Sequence, residues 1–165
     1  MKVLNIYIDG SHLDKQHNGR LGVGGILVDD TKKNVIDAFS EELTQDYMGK
    51  AFGAIKCSNP SAELTALLKA LQNFKKHLKT ASEIVVRADY VGVREWMTGA
   101  WKIKEPYIAR IKQEIDKEIT RQGLDSRIRY EWVKGHQSKS VLDPDAYWNN
   151  QVDLLAKGQE DTGDE

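Results

Sequence analysis

The sequence contains a single cysteine, Cys57, and no long apolar run. One cysteine excludes an internal disulfide and any zinc site built from several thiolates. No apolar stretch approaches the roughly 20 residues that cross a bilayer. The N-terminal segment MKVLNIYIDGSHLD lacks a small-residue cleavage site and predicts a strand rather than a signal peptide. These absences predict a cytoplasmic protein in a reducing compartment, with no membrane segment and no membrane partner.

The chain also lacks an excess of either charge, with 24 basic and 25 acidic residues among 165. Taken alone, this balance argues against a strongly basic nucleic-acid-binding protein and against a polybasic membrane binder. The distribution differs from the total, because residues 159–165 carry four acids and no base, whereas residues 75–134 carry 14 bases and 9 acids. A basic central segment followed by an acidic tail is compatible with a polyanionic substrate.

Two hydrophobic periodicities divide the chain into strands and helices. Short loops between the first three strands predict an antiparallel meander, and the later alternation of helix and strand predicts parallel crossovers. We expect an α/β fold with a mixed five-stranded sheet and helices packed on it, in one domain over residues 1–158 before a disordered acidic tail over 159–165. The predicted strands cover 2–8, 22–28, 35–42, 84–88 and 127–133, and the predicted helices cover 60–78, 91–98, 106–120 and 148–157.

Four acidic residues lie where charge is unusual. Asp9 and Asp89 each end an apolar strand, Glu63 lies in the first turn of the central helix that Asn59 is predicted to cap, and Asp153 lies among apolar residues of the last helix. Ligands of such sheets bind beyond the carboxyl ends of the strands, so these side chains can converge there. Converging carboxylates need a counter-charge, and oxygen ligands suit magnesium or manganese. Each residue also has an ordinary explanation as a turn, capping or surface acid, so only their joint placement favours a metal site.

Four segments together resemble type 1 ribonuclease H, including the homologous domain of reverse transcriptases. Each motif alone is weak, but all four occur in the family's order and cover the chain from the first strand to about Lys157. They are Ile8-Asp9-Gly10-Ser11 before a glycine-containing hairpin, Asn59-Pro60-Ser61-Ala62-Glu63-Leu64, Asp89 after an apolar strand, and Trp132-Val133-Lys134-Gly135-His136 followed by Asn149 through Asp153 and Leu155-Ala156. The resemblance implies a ribonuclease H-like fold, a monomer, and endonucleolytic hydrolysis of the RNA strand of RNA–DNA hybrids that leaves 5′-phosphate and 3′-hydroxyl ends.

The resemblance also implies a role for individual residues. Two Mg²⁺ ions, for which Mn²⁺ can substitute, are expected to be held by Asp9, Glu63, Asp89 and Asp153, with Asp9 bridging both ions and Asp153 on the ion that activates the attacking water. His136 is expected to assist proton transfer or product release. The resemblance implies that Asn59 contacts the nucleic acid. The further candidate substrate contacts, including those to 2′-hydroxyl groups, are Gly10, Ser11, His12, Trp101, Lys102, Lys104 and Asn149.

The sequence departs from the family pattern in several places. Asp89-Tyr90-Val91 stands where the family has Asp-Ser-Gln, so a polar substrate contact is lost or replaced. The basic protrusion of many bacterial members is short here, and Lys102 and Lys104 beside Trp96 and Trp101 are candidates to replace it, although either tryptophan can equally be a core residue. The segment between His136 and Asp153 is longer than in compact bacterial members and carries Asp143 and Asp145, whose relation to the metals stays open.

Two other functions remain open at this point. One is a catalytically inactive module of this fold that only binds nucleic acid, and the other is a different nuclease, such as an exonuclease or junction resolvase. The four carboxylates and His136 count against the inactive module. The Trp132–His136 segment followed by Asn149 and Asp153 disfavours a different nuclease. The fold alone would not decide between these functions.

Overall fold

A computed structural model describes residues 2–13, 19–54, 58–135 and 143–158. Cys57, His136 and the tail over 159–165 lie outside this part of the chain. The strands are β1 (Val3–His12), β2 (Arg20–Val28), β3 (Val35–Thr44), β4 (Glu83–Ala88) and β5 (Ile128–Trp132). The helices are α1 (Gln45–Phe52), α2 (Asn59–Asn73), α3 (Lys75–Leu78), α4 (Val91–Met97), α5 (Pro106–Gln122) and α6 (Pro144–Ala156).

The five strands form one sheet in the order β3-β2-β1-β4-β5. The pairs β1–β2 and β2–β3 are antiparallel, and the pairs β1–β4 and β4–β5 are parallel. The predicted mixed sheet, with a meander followed by parallel crossovers, is therefore confirmed.

Helices pack on both faces of the sheet. On one face, apolar side chains of α2 and α5 such as Leu67 and Ile115 join those of β1 in the main core. On the other face, Val152 of α6 packs with Tyr7 of β1 in a smaller cluster. Within the described ranges, no helix combines the length and the apolar character that a membrane crossing needs.

The central helix differs from the prediction at both ends. Its cap is Ser58 rather than Asn59, because Ser58 and Ser61 bond to each other's backbone in a capping box, and Pro60 follows in the first turn. Glu63 consequently lies at the start of the second turn. The predicted single helix over 60–78 is divided at Phe74, which separates α2 from the short α3.

Helix α1 was not predicted. It is only eight residues long and buries only Met48 and Phe52, so its apolar stripe is too short to show a period. Its end signals are nevertheless in the sequence, since the Thr44 side chain accepts a hydrogen bond from the Tyr47 amide and Gly53 ends the helix at φ 72°.

Two other elements, β1 and α6, extend four residues past their predicted bounds. Strand β1 continues past the predicted end at residue 8 to His12, because β2 pairs with it along that whole length. Asp9 therefore lies within β1 instead of ending it. Helix α6 begins at Pro144 rather than at residue 148, since Asp143 accepts a hydrogen bond from the Asp145 amide and caps the helix.

Candidate active site

The strand register aligns the first two carboxylates. Parallel pairing of β1 with β4 places Tyr7 opposite Arg87. Asp9 lies two residues after Tyr7, and Asp89 lies two residues after Arg87. The two acids are therefore level with each other where β4 ends. The two acids therefore meet at the carboxyl end of β4, although Asp9 itself lies within β1.

Gly10 brings the third carboxylate into place. A Cβ atom at Gly10 would overlap the carbonyl group of Ala62, so only glycine lets the backbone of α2 lie directly against β1. This close approach places Glu63 beside Asp9. One carboxylate oxygen from each of Asp9, Glu63 and Asp89 lies within 4.8 Å of the others.

Helix α6 contributes the fourth carboxylate from the opposite face of the sheet. Gly24 pairs with Asp9 in the β1–β2 ladder, and a Cβ atom at Gly24 would come within 2.9 Å of the Ala156 amide nitrogen. The end of α6 thus lies close against β2, next to Asp9. A cavity of about 500 Å³ results, lined by Asp9, Gly10, Ser11, Asn59, Glu63, Asp89, Tyr90, Gly135, Asp153 and Lys157.

Burial and crowding make this cluster electrostatically costly. Burial, together with the charges of Asp89 and Asp153, raises the pKa of Asp9 well above its ordinary value, and a hydrogen bond with Glu63 offsets only part of this effect. Burial and then the charge of Asp9 raise the pKa of Glu63 as well. Burial and mutual repulsion destabilise the ionised form of these carboxylates, and a bound cation would stabilise it.

The donor set fits a hard divalent cation. The Oε2 atom of Glu63 is buried and has no hydrogen-bond partner among the described residues. A buried carboxylate oxygen without a partner is costly unless it binds an ion or water. Oxygen atoms of Asp9, Glu63 and Asp89 supply the ligand chemistry that Mg²⁺ and Mn²⁺ prefer.

The predicted substrate residues fall into different environments. Gly10, Ser11 and Asn59 line the carboxylate cavity, and His12 is tied to Asn59 by a 3.0 Å hydrogen bond from its amide to Oδ1. Asn149 instead is buried outside the cavity lining, and its Nδ2 atom lies 3.4 Å from Oδ2 of Asp89. Asn149 therefore contacts a carboxylate of the cluster.

Trp101, Lys102 and Lys104 line a second, adjoining groove of about 720 Å³. Tyr90 lines both cavities and begins a row of aromatic rings, with centroid distances of 5.7 Å from Tyr90 to Trp96 and 6.1 Å from Trp96 to Trp101. Trp96 packs partly against the main core, whereas Trp101 is 43% exposed. The row joins the carboxylate cavity to the lysines.

The structure also shows site residues that sequence reasoning missed and excludes others from the cavity. Tyr90 and Lys157 line the carboxylate cavity, and the available signals were their positions directly after Asp89 and four residues after Asp153. Asp143 and Asp145, left open above, do not line it.

Several solved structures resemble the chain over almost its whole length. RNase H1 from the halophilic archaeon Halobacterium salinarum NRC-1 is 21% identical, with a TM-score of 0.67 over 93% of this chain and 94% of that one. An N-terminal RNase H domain from Mycobacterium tuberculosis is 22% identical, with a TM-score of 0.69 over 96% and 99%. LC11-RNase H1 from compost, solved in complex with an RNA/DNA hybrid, is 20% identical, with a TM-score of 0.70 over 97% and 98%.

At these identities the structural likeness establishes a common fold. Comparison with curated proteins finds no match. The family model described as RNase H matches residues 1–160, which is nearly the whole chain. The resemblance to type 1 ribonuclease H is thereby confirmed, and the chain belongs to the RNase H family.

Proposed function

We propose that the protein hydrolyses the RNA strand of RNA–DNA hybrids endonucleolytically and leaves 5′-phosphate and 3′-hydroxyl ends. The observation that carries the proposal is the convergence of Asp9, Glu63 and Asp89 within 4.8 Å, with Asp153 lining the same cavity, on an RNase H fold. A structural relative, LC11-RNase H1, has been solved in complex with an RNA/DNA hybrid, which supports this choice of substrate.

In this proposal Asp9, Glu63, Asp89 and Asp153 hold two Mg²⁺ ions, and Mn²⁺ can replace them. Held there, the ions would supply an activated water and would stabilise the leaving oxygen of an in-line phosphoryl transfer. The chain contributes positioning, because β1, α2 and α6 each present one carboxylate and Asp89 follows β4 directly.

His136 is proposed to carry a proton to or from the reacting oxygens, or to assist product release. Its neighbour Gly135 lies against the cluster, since a Cβ atom at Gly135 would come within 2.8 Å of Oδ2 of Asp89. An imidazole with an ordinary pKa of about 6.5 suits a proton shuttle at neutral pH.

The two cavities divide recognition of the hybrid between them. Backbone groups of Gly10 and Ser11 and the amide of Asn59 line the carboxylate cavity, where we propose that they contact 2′-hydroxyl groups of the RNA strand. The groove with Trp101, Lys102 and Lys104 is proposed to hold the DNA strand, because the exposed Trp101 ring can stack on a base and the two lysines can pair with phosphates.

A cleavage assay tests the proposal directly. Labelled RNA–DNA hybrid, double-stranded RNA and double-stranded DNA are incubated with the protein, with and without Mg²⁺. We expect cleavage of the hybrid's RNA strand alone, only with the ion, and its loss in Asp9→Asn but not in Asp46→Asn, whose carboxylate is exposed on α1.

The other outcomes identify the alternatives. Binding of the hybrid without cleavage would identify an inactive binding module, and cleavage of double-stranded DNA would identify a different nuclease on this fold. Hybrid cleavage at the parent rate by Asp9→Asn would contradict the metal assignment.

A further inference from the structure

One cationic side chain enters the cavity of carboxylates. Lys157 is the only basic residue among the described residues that line this cavity, and its Nζ atom lies 2.9 Å from Oδ2 of Asp153. An ammonium group at this distance makes a charge-assisted hydrogen bond, which is stronger than one between neutral groups. The proposed metal ligand Asp153 therefore already has a cation bound to one of its two oxygens.

The position of Lys157 is set by backbone packing. A Cβ atom at Gly22 would overlap the carbonyl oxygen of Ala156, so the end of α6 lies directly on β2. The Ser40 hydroxyl donates a 2.6 Å hydrogen bond to the carbonyl oxygen of Leu155. These contacts hold the Cα atom of Lys157 beside the cavity, and only its four-carbon stem is left to move.

We propose that the Lys157 ammonium group is a resident counter-cation of Asp153, which a divalent ion has to displace, and that Lys157 thereby weakens metal binding at this ligand. The inference rests on the proposed role of Asp153 as a metal ligand. A tethered ammonium group competes with the ion for the same carboxylate and repels it as a like charge. In the metal-free protein the same ammonium group offsets part of the repulsion among the four acids.

Calorimetric titration with Mn²⁺ alone, at neutral pH and without nucleic acid, tests the proposal. We expect Lys157→Gln and Lys157→Met to bind Mn²⁺ about three- to fivefold more tightly than the parent, as removal of a partly exposed charge partner allows. Lys157→Arg keeps the charge and reach, so its affinity should stay near that of the parent.

A second ion pair supplies a matched control. Lys50 lies 3.1 Å from Asp46 with the same four-residue spacing and the same order of acid before base, in the last turn of α1. Lys50→Gln removes an equal charge outside the cavity and should leave Mn²⁺ affinity unchanged.

The variant Asp153→Asn separates failure of this inference from failure of the proposed function. Unchanged Mn²⁺ affinity in Asp153→Asn would show that Asp153 is not a ligand, which overturns the assignment on which the inference rests. Weakened binding in Asp153→Asn together with unchanged or weaker binding in Lys157→Gln would overturn the inference alone. The inference is supported if Lys157→Gln binds Mn²⁺ more tightly than the parent, and if the double variant Lys157→Gln/Asp153→Asn binds Mn²⁺ no more tightly than Asp153→Asn alone.

Discussion

Arg87 and Asp145 form an ion pair between β4 and the first turn of α6, with Nη1 3.3 Å from Oδ2. Arg87 is 7% exposed, and its guanidinium also donates to Oδ1 of Asn5 and to Oε1 of Glu131. The pair therefore belongs to a buried polar network that joins three strands to the helix carrying Asp153.

Asp145 is held from two further directions. The Tyr7 hydroxyl donates to its Oδ1 atom at 2.5 Å, and the Lys32 ammonium group lies 3.0 Å from the same oxygen. The Trp148 indole of α6 in turn donates to the Lys32 carbonyl oxygen. The start of α6 is thus tied to the sheet and to the β2–β3 turn.

We expect Asp145→Asn to lower the free energy of unfolding by about 2 kcal/mol, because Arg87 loses one of its charged partners inside the protein. Urea denaturation measures this change. Asp116→Asn is the control, since Asp116 is exposed in its pair with Lys112 and its loss should cost less than about 0.5 kcal/mol. Equal effects of the two substitutions would contradict the importance of the network.

The same network predicts acid sensitivity. Burial alone would raise the pKa of Asp145, but hydrogen bonds from Tyr7 and Lys32 and the charge of Arg87 outweigh it and lower the pKa below its ordinary 3.8. The pKa of Glu131 also falls below its ordinary 4.5, because the charges and hydrogen bonds of Arg87 and Arg129 outweigh its burial.

A carboxyl group with a lowered pKa stabilises the folded state fully at pH values above its pKa in the unfolded chain. This stabilisation is lost as the pH falls through its pKa in the folded protein. We therefore expect the thermal midpoint of the metal-free protein to decrease when the pH is lowered below about 4. The fall should be shallower in Asp145→Asn, which lacks one of the two groups. An identical pH profile in that variant would refute this assignment.

Asp9→Asn should abolish hybrid cleavage while raising the stability of the metal-free protein by about 1 kcal/mol or more, since it removes one buried negative charge from the cluster. Thermal unfolding with and without Mg²⁺ measures the change in stability, and the hybrid cleavage assay measures the loss of activity. Mg²⁺ should raise the thermal midpoint of the parent more than that of the variant. A destabilised metal-free variant would show that the carboxylates do not repel one another.

Gly10→Ala should cost about 3 kcal/mol and abolish cleavage, because its Cβ atom would push α2 and Glu63 away from β1. Gly49→Ala is a matched control within α1, where the nearest atom to an added Cβ is 3.5 Å away. The control should gain up to about 1 kcal/mol, as alanine favours a helix more than glycine does. Chemical denaturation compares the two variants, and a tolerated Gly10→Ala would contradict the proposed close packing.

Replacing Lys102 and Lys104 together by alanine should raise KM for the hybrid, leave kcat unchanged, and reduce the slope of log affinity against log salt by about 2. Replacing Lys75 and Lys76 removes the same charge beyond the opposite end of α2 and should leave KM near the parent value. Equal changes in KM would indicate a general charge effect rather than contact in the groove.

The sequence by itself indicated the sheet architecture and the four acids, Asp9, Glu63, Asp89 and Asp153, that line one cavity. Alternating and helical periodicities depend only on which residues are apolar, so they predict strand and helix positions without knowledge of packing. Asp9, Glu63 and Asp89 were found because each carries its charge beside an apolar run. Boundaries were less secure, since Ser58 and Asn59 are both good caps and only the hydrogen bonds to Ser61 distinguish them.

Only the tertiary structure decided which polar groups share an environment. Asp145 and Asp153 lie on the same helix, yet Asp145 meets the Arg87 guanidinium while Asp153 lines the carboxylate cavity with Lys157. Sequence spacing cannot separate these outcomes, because they depend on how the whole helix lies across the sheet. That placement follows from contacts between distant segments, above all the packing of the α6 backbone on the bare glycines of β2.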